Sequence, residues 1–253
     1  MPDTVTELDL GSYVYAVVPE DGQVEDLRGI DDAEVEYVVH DGLAAAVTRI
    51  ALDRPPGRRA ELTAHQSVVE ELAGRGPVVP VRFGSVLDPD DDAVVALLQR
   101  EGDRLHELLD RLAGHVQLNL RATYVEEQVL AEVVTAEPAI AELRRRTRDL
   151  PPGTMHPDLV RLGELVDRAV DARRAVDSAD LLDEVAPWVQ GQNVRRGGGI
   201  EHLLDVALLV RTEDVAELEE RLEVLAEGYH ERIRMRLVGP VAPYDFAEVG
   251  GWD

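Results

Sequence analysis

The segment Gly76-Pro-Val-Val-Pro-Val-Arg-Phe-Gly-Ser-Val-Leu87 limits the fold more than any other part of the chain. Val79, Val81 and Phe83 fall on one face of an extended stretch, with Val78, Pro80 and Arg82 on the other. Pro77 and Pro80 lack a backbone donor, which places them at a strand's start or on a sheet edge. Gly84 after Phe83 marks a bulge or a close backbone approach. Asp88-Pro89 then reads as the N-cap and first position of a helix. The result is a strand that delivers Arg82 and Phe83 near a bend. As plain structure it is a core strand with one snorkelling arginine; as a site it presents both residues to a partner.

The flanking segments can be read in order. Residues 1–10 are polar and expected to be loose. Ser12 to Val18 is a short apolar strand. Val35 to Val39 and Leu43 to Ile50 flank His40-Asp41-Gly42, and Asp-Gly between apolar runs is a hairpin signal. A loop at 53–57 leads to a helix from Arg58 to Ala73, with Leu62, Val69 and Leu72 on one face and His65 and Val68 beside them. A second helix runs from Pro89 to Leu112, its stripe built from Val94, Leu97, Leu98, Leu105, Leu108, Leu109 and Leu112. Strand alternation returns at Val116, Leu118, Leu120 and Ala122. Helical pattern covers 126–146 with a break at Pro138, and 150–154 is a linker. One long helix spans Asp158 to Val185, its apolar positions including Leu162, Val166, Val170 and Val176. The stretch 188–199 reads as a mobile glycine-rich loop. His202 to Val210 is a buried strand, Thr212 caps a helix through Leu225, and Ile233, Met235 and Leu237 form a last strand. Strand–helix–strand units of this length need a sheet to pack on. The expected fold is α+β in two domains: residues 1–112, then 113–253 as a modified ferredoxin-like sandwich with a helical insertion and a C-terminal tail.

Composition removes whole classes of chemistry. The 253 residues contain no cysteine, and all 26 bases are arginine. Thiol catalysis, cysteine-ligated zinc, a P-loop lysine and a Schiff-base lysine are therefore excluded. Net charge is −25, which repels nucleic acid and anionic membranes. No apolar run suits a membrane span and the acidic start does not resemble a signal peptide, so a cytoplasmic chain is expected.

The candidate sites are few. Seven histidines, at 40, 65, 106, 115, 156, 202 and 230, show no metal-ligand spacing. His65 stands out, since it lies beside an apolar stripe and can bond a strand carbonyl as a structural group; with Arg82 it can alternatively line a pocket of a small-molecule enzyme or a ligand-sensing module. Gly197-Gly198-Gly199 precedes a strand, the wrong order for a phosphate cradle. Arg195 and Arg196 are read as solvated. Arg232, Arg234 and Arg236 form a row, joined by Arg121, that wants carboxylates, either on the chain's own helices or on a partner. Four serines without G-x-S-x-G leave no catalytic constellation. Gly239-Pro-Val-Ala-Pro-Tyr-Asp-Phe246 is either a tail folded back on its own core or a rigid apolar ledge.

These segments together resemble a known family. Val78-Val-Pro-Val-Arg-Phe-Gly-Ser-Val86 is similar to the "lPmRFGtv" segment of the gas vesicle GvpF/GvpL proteins. Ala64-His65 stands a helix upstream as in that family, Tyr13-Val-Tyr-Ala-Val17 resembles its opening strand, and Asp41-Gly-Leu-Ala-Ala45 its first hairpin. The tail resembles the terminal "GPWPPYsF", with Val241 for Trp, Ala242 for Pro and Asp245 for Ser. The resemblance implies a non-enzymatic, cytoplasmic, gas vesicle-associated assembly factor without cofactor or metal. Its implied partners are the small hydrophobic shell protein and other gas vesicle accessory proteins. The residues expected to meet a partner are Arg82, Phe83, Arg234, Arg236, Pro243, Tyr244 and Phe246, with His65 and Gly84 structural.

Overall fold

The computed structural model describes residues 10–51, 54–88, 91–151 and 156–247. The expected loose start over residues 1–9, Pro89 as a first helical residue, and the core of the 150–154 linker lie outside these. The chain divides into two compact units, Met1–Gln117 together with Pro240–Asp253, and Leu118–Gly239. The first crossing between these units falls at Gln117/Leu118, and the residues from Pro240 onward fall in the first unit. Their contacts, described below, are with side chains of that first unit.

The first unit holds β1 (Leu10–Pro19), β2 (Glu36–His40), β3 (Leu43–Ala51), α1 (Arg59–Ala73), β4 (Val79–Pro80), β5 (Val86–Leu87) and α2 (Asp91–Leu112). The sheet order is β2-β3-β1-β4, with β5 also on β1. β1 is buried from Gly11 to Val18 without alternation. Both of its faces are therefore covered, and both α1 and α2 pack against it. The proline-rich stretch is one edge strand interrupted: Val79 and Pro80 pair with Val17 and Ala16, Val86 and Leu87 with Tyr13 and Ser12. Between them Arg82–Ser85 bulges out, closed by Ser85 N–H donating to Arg82 O at 3.3 Å. Pro80 sits on the edge because its missing donor is harmless there.

One expected face is rotated by a position. On α1 the buried residues are Glu61, His65, Val68, Val69 and Leu72, while Leu62 is 39% exposed. Glu61 turns inward because its carboxylate accepts from the N–H groups of Gly57 and Arg58, both at 2.8 Å, and pairs with Arg54. It thereby satisfies donors at the helix start that have no partner within the helix. Arg54 first, then these two N–H groups, hold the Glu61 carboxyl down at about 2.

The second unit holds β6 (His115–Tyr124) from Leu118 onward, α3 (Glu126–Ala136), α4 (Pro138–Thr147), α5 (Pro157–Val185), β7 (Val189–Val194), β8 (His202–Arg211), α6 (Val215–Tyr229) and β9 (Ile233–Val241) as far as Gly239. The order β7-β8-β6-β9 is that of a ferredoxin-like sheet, with α3 and α4 as added helices. Leu118, Leu120, Val206 and Leu208 of the sheet share a core with Val129, Ile140, Leu181 and Leu218 of the helices. The helical stretch breaks where expected: Glu137 is extended, as the residue before Pro138 must be.

The expected loop at 188–199 is in large part β7, an edge strand paired antiparallel with β8. An edge strand is held by its ladder, so its polar, mostly exposed residues need no apolar rhythm. Nor does Thr212 begin the next helix directly; Thr212–Asp214 is a 3-10 turn and α6 starts at Val215. Arg195, expected to be solvated, pairs with Asp205 at 2.9 Å and donates to Asn119 Oδ1 at 2.8 Å.

The β2–β3 hairpin closes at His40↔Leu43, with Asp41 at φ 47° and Gly42 at φ 75°. Both central residues are left-handed, the type I′ turn that matches strand twist. A Cβ on Gly42 would meet nothing closer than His106 Nε2 at 3.8 Å, so its cost is conformational alone. Gly42→Ala is expected to lower stability by about 1 kcal/mol in urea unfolding; an unchanged midpoint would contradict this turn.

Candidate functional site

Tyr13 and Tyr15 stand two apart on β1 and both reach His65 of α1. Tyr13 Oη lies 2.9 Å from His65 Nδ1. The Tyr15 ring stacks on the imidazole at 5.7 Å and 28°, and Phe83 meets it edge-on at 5.6 Å. From the tail, Tyr244 Oη lies 2.9 Å from His65 Nε2. The hydroxyls are in turn held: Gly84 N–H donates to Tyr13 Oη at 3.2 Å, and Ile30 N–H to Tyr15 Oη at 2.8 Å. A neutral imidazole satisfies the set, with Tyr13 O–H donating to Nδ1 and Nε2–H donating to Tyr244 Oη.

Burial sets the chemistry of this cluster. His65 is 1% exposed; loss of hydration pushes it down to about 4, against a smaller opposing contact from the Val81 backbone. Burial likewise raises the phenols of Tyr13 and Tyr15. Tyr244 is 40% exposed as a residue, but its hydroxyl points inward and burial raises it to about 12. Burial thus favours the uncharged imidazole and the uncharged phenols around it. Gly29 belongs to the same lock of hydrogen-bonded rings: a Cβ there would stand 2.1 Å from Tyr15 Oη.

The structure therefore places His65, Phe83, Gly84 and Tyr244 in one cluster of the first unit. Gly84, at φ 94°, turns the bulge back after Phe83. Arg82 is exposed on the same bulge, and Phe83 is half-buried. Pro243 is buried and Phe246 half-buried. Asp245 Oδ2 accepts from Gln117 Nε2 at 2.7 Å, and Phe246 O accepts from Arg111. The tail thus packs against its own unit while leaving Tyr244 partly exposed. Tyr13, Tyr15 and Gly29 were missed by sequence reasoning; tyrosines at i and i+2 in an otherwise aliphatic strand were the available signal.

In the second unit, Arg234 and Arg236 are exposed on β9. Arg232, expected in the same row, turns inward. It pairs with Glu132 at 2.7 Å and with Asp177, and its guanidinium lies 5.7 Å from the centroid of the Tyr124 ring. Tyr124 O–H donates to Asp177 Oδ2 at 2.6 Å, and Arg173 lies 3.4 Å from both carboxylates. Two cations thus face two anions. Asp177 takes the inward position on α5 that sequence spacing suggests for Val176, which is 56% exposed. An ion pair can be buried here because each charge has its counterpart.

Among the described residues, no group of three or more His, Asp or Glu side chains could hold a metal ion, and no helix is long and apolar enough to cross a membrane. Fold and surface define a two-unit α+β protein whose second unit is ferredoxin-like. The family model described as gas vesicle synthesis protein GvpL/GvpF matches residues 11–248. The chain belongs to the GvpL/GvpF family. It is 32% identical over 244 residues to gas vesicle protein F of Streptomyces sp. (strain CB03234), covering 94% of this chain and 100% of that one. It is 29% identical to gas vesicle protein L of the same strain, over 95% of this chain and 94% of that one. The crystal structure of GvpF from Anabaena sp. PCC7120 superposes with a TM-score of 0.81 at 22% identity, over 95% of this chain and 99% of that one.

Two outcomes test the lock. Tyr244→Phe removes the hydroxyl facing His65 and is expected to cost about 1–3 kcal/mol in urea unfolding; an unchanged midpoint would contradict the hydrogen bond. The pH effect follows from His65 being lowered from 6.5 to about 4. Below 6.5 the unfolded chain takes up a proton that the folded chain refuses. Stability is therefore full above pH 6.5 and falls as pH drops toward 4, by about 3 kcal/mol for His65. His202, also lowered by burial, acts with the same sign. His65→Gln should flatten the fall without abolishing it, as read by urea midpoints across this window.

Proposed function

We propose that this chain is a non-enzymatic accessory protein of gas vesicle formation, which binds the small hydrophobic shell protein and assists its assembly. The observation that carries the reading is the family match across residues 11–248. The names of its relatives, gas vesicle proteins F and L, point the same way. The physical features fit a holding role. Apolar side chains stand exposed at several places, among them Val39, Val194 and Val238 on edge strands. Covering the apolar surface or strand edge of a small, aggregation-prone subunit keeps it soluble until delivery. A net charge of −25 keeps the resulting complex dispersed. Other gas vesicle accessory proteins are further partners, and the work is done in the cytoplasm at the growing vesicle.

The partner-facing residues are proposed to be Arg82, Phe83, Arg234, Arg236, Pro243, Tyr244 and Phe246. For Phe83 and Tyr244 the role is shared with the lock around His65. An enzyme or ligand sensor built on a His65/Arg82 pocket draws no support from the geometry. His65 is 1% exposed with both ring nitrogens engaged, while Arg82 stands at the surface.

Co-expression with the shell protein tests the reading. The shell protein should co-purify with the wild-type chain, and omission of the chain from a vesicle-forming gene set should leave shell protein insoluble and vesicles absent by electron microscopy. Soluble shell protein and normal vesicles without the chain would overturn it. Arg82→Ala with Phe83→Ala should weaken capture while the far-ultraviolet circular dichroism is kept; loss of folding instead would show the bulge to be structural only.

A further inference from the structure

In the second unit a groove of about 380 Å³ lies between α6 and β9. Leu120, Leu222, Met235 and Leu237 line it together with Glu219 and Glu223. β9 is the terminal strand of its sheet. An edge strand carries a row of backbone donors and acceptors directed away from the sheet. Burial along it alternates: Ile233 is 1% exposed, but Met235 and Leu237, on the same face and further along, are only half-buried. The helix layer thus stops short of covering the sheet at this edge. On the opposite face stand the exposed Arg234 and Arg236, and among the described residues neither takes part in an ion pair. Arg121, exposed on the adjacent β6, adds a third cation to that face.

These features specify an occupant. We infer that β9 is a docking edge for one extended segment of a partner, whose alternate residues are apolar toward the groove and carboxylates toward Arg234 and Arg236. Backbone pairing supplies the attachment, and the two faces supply the selection. Apolar side chains at i and i+2 complete the cover over Met235 and Leu237. Carboxylates at i+1 and i+3 meet the arginines as cross-strand opposite charges. The stretch from Arg234 to Val238 is about 17 Å long, enough for a segment of about five residues. A second copy of this chain is disfavoured as the occupant, because β9 against β9 would set arginine rows against each other. The inference rests on the partner-binding reading above and names where and how that partner attaches.

The test uses the full-length chain and an acetylated peptide of alternating valine and glutamate, with an alternating valine and arginine peptide as control. At physiological salt the screening length is about 8 Å, so charges farther than that from the edge are largely screened, while Glu219 and Glu223 line the groove itself and favour an uncharged side chain there. The valine–glutamate peptide should bind saturably and slow amide exchange along β9. Methylation of its backbone nitrogens should abolish binding. The double variant Arg234→Glu with Arg236→Glu should bind it about tenfold more weakly and gain affinity for the valine–arginine peptide, a gain that misfolding cannot produce. Absence of binding, protection located elsewhere, no exchange of preference, or dimerisation through β9 in sedimentation would each overturn the inference. Shell-protein capture by wild type but not by the double variant supports it. Equal capture by both overturns this edge while leaving the broader reading intact. If wild type captures no shell protein, the broader reading falls, and the peptide result alone decides the edge.

Discussion

An imidazole taken out of water, with a phenol at each nitrogen, is the interaction on which the first unit depends. His65 joins four parts of the chain that are far apart in sequence. Tyr13 and Tyr15 come from the central strand, His65 from α1, Phe83 from the bulge between β4 and β5, and Tyr244 from the tail, 179 residues beyond His65. Each hydroxyl is held by a backbone group or by the ring, so the polar atoms of an aromatic core are paired. Such a network is strong while complete and costly when one member is lost. It also explains why the proline-rich stretch is not a continuous strand. The bulge at Arg82–Ser85 lets Gly84 N–H reach Tyr13 and brings Phe83 against the imidazole.

The second unit solves a different problem by a different means. Its sheet has the ferredoxin-like order, and the helices that pack on it are longer and more numerous than that frame needs. They are tied to the last strand by charge: Arg232, immediately before β9, meets Glu132 of α3 and Asp177 of α5, with Arg173 and Tyr124 completing the set. The same arginine row therefore divides by position. Arg232 is spent inside the unit, while Arg234 and Arg236 remain on the surface of an edge strand, where cross-strand charge decides what can pair with them.

Much of this was legible in the sequence, and the failures have physical causes. Asp41-Gly42 announced its hairpin because two left-handed residues are needed there and few pairs supply them. The stripe of α2 was readable since every member faces a core. By contrast, β7 carries Gln190, Gly191, Gln192 and Asn193, and a strand held by one ladder leaves no apolar rhythm to detect. Glu61 and Asp177 were passed over for Leu62 and Val176 because apolar spacing presumes that inward positions are apolar. Both acids face inward to meet partners, Arg54 in one case and Arg232 in the other, that sequence separation hides. His65 was noticed for its place beside a stripe, but its tyrosine partners could not be assigned without knowing that β1 packs against α1 and that the tail returns. The family, by contrast, was visible in short ordered motifs, and those motifs fall on the lock itself: Tyr13 and Tyr15, Ala64-His65, Arg82-Phe83-Gly84 and Tyr244.

The most direct measurement of the central interaction is the nitrogen spectrum of the His65 side chain, followed by NMR in the full chain from about pH 8 to about pH 5. A neutral, doubly bonded imidazole gives one protonated and one unprotonated ring nitrogen, in a single tautomer, with no change across that range. A ring that averages between tautomers, or that titrates near the ordinary value of 6.5, would show His65 to be hydrated and the lock to be absent.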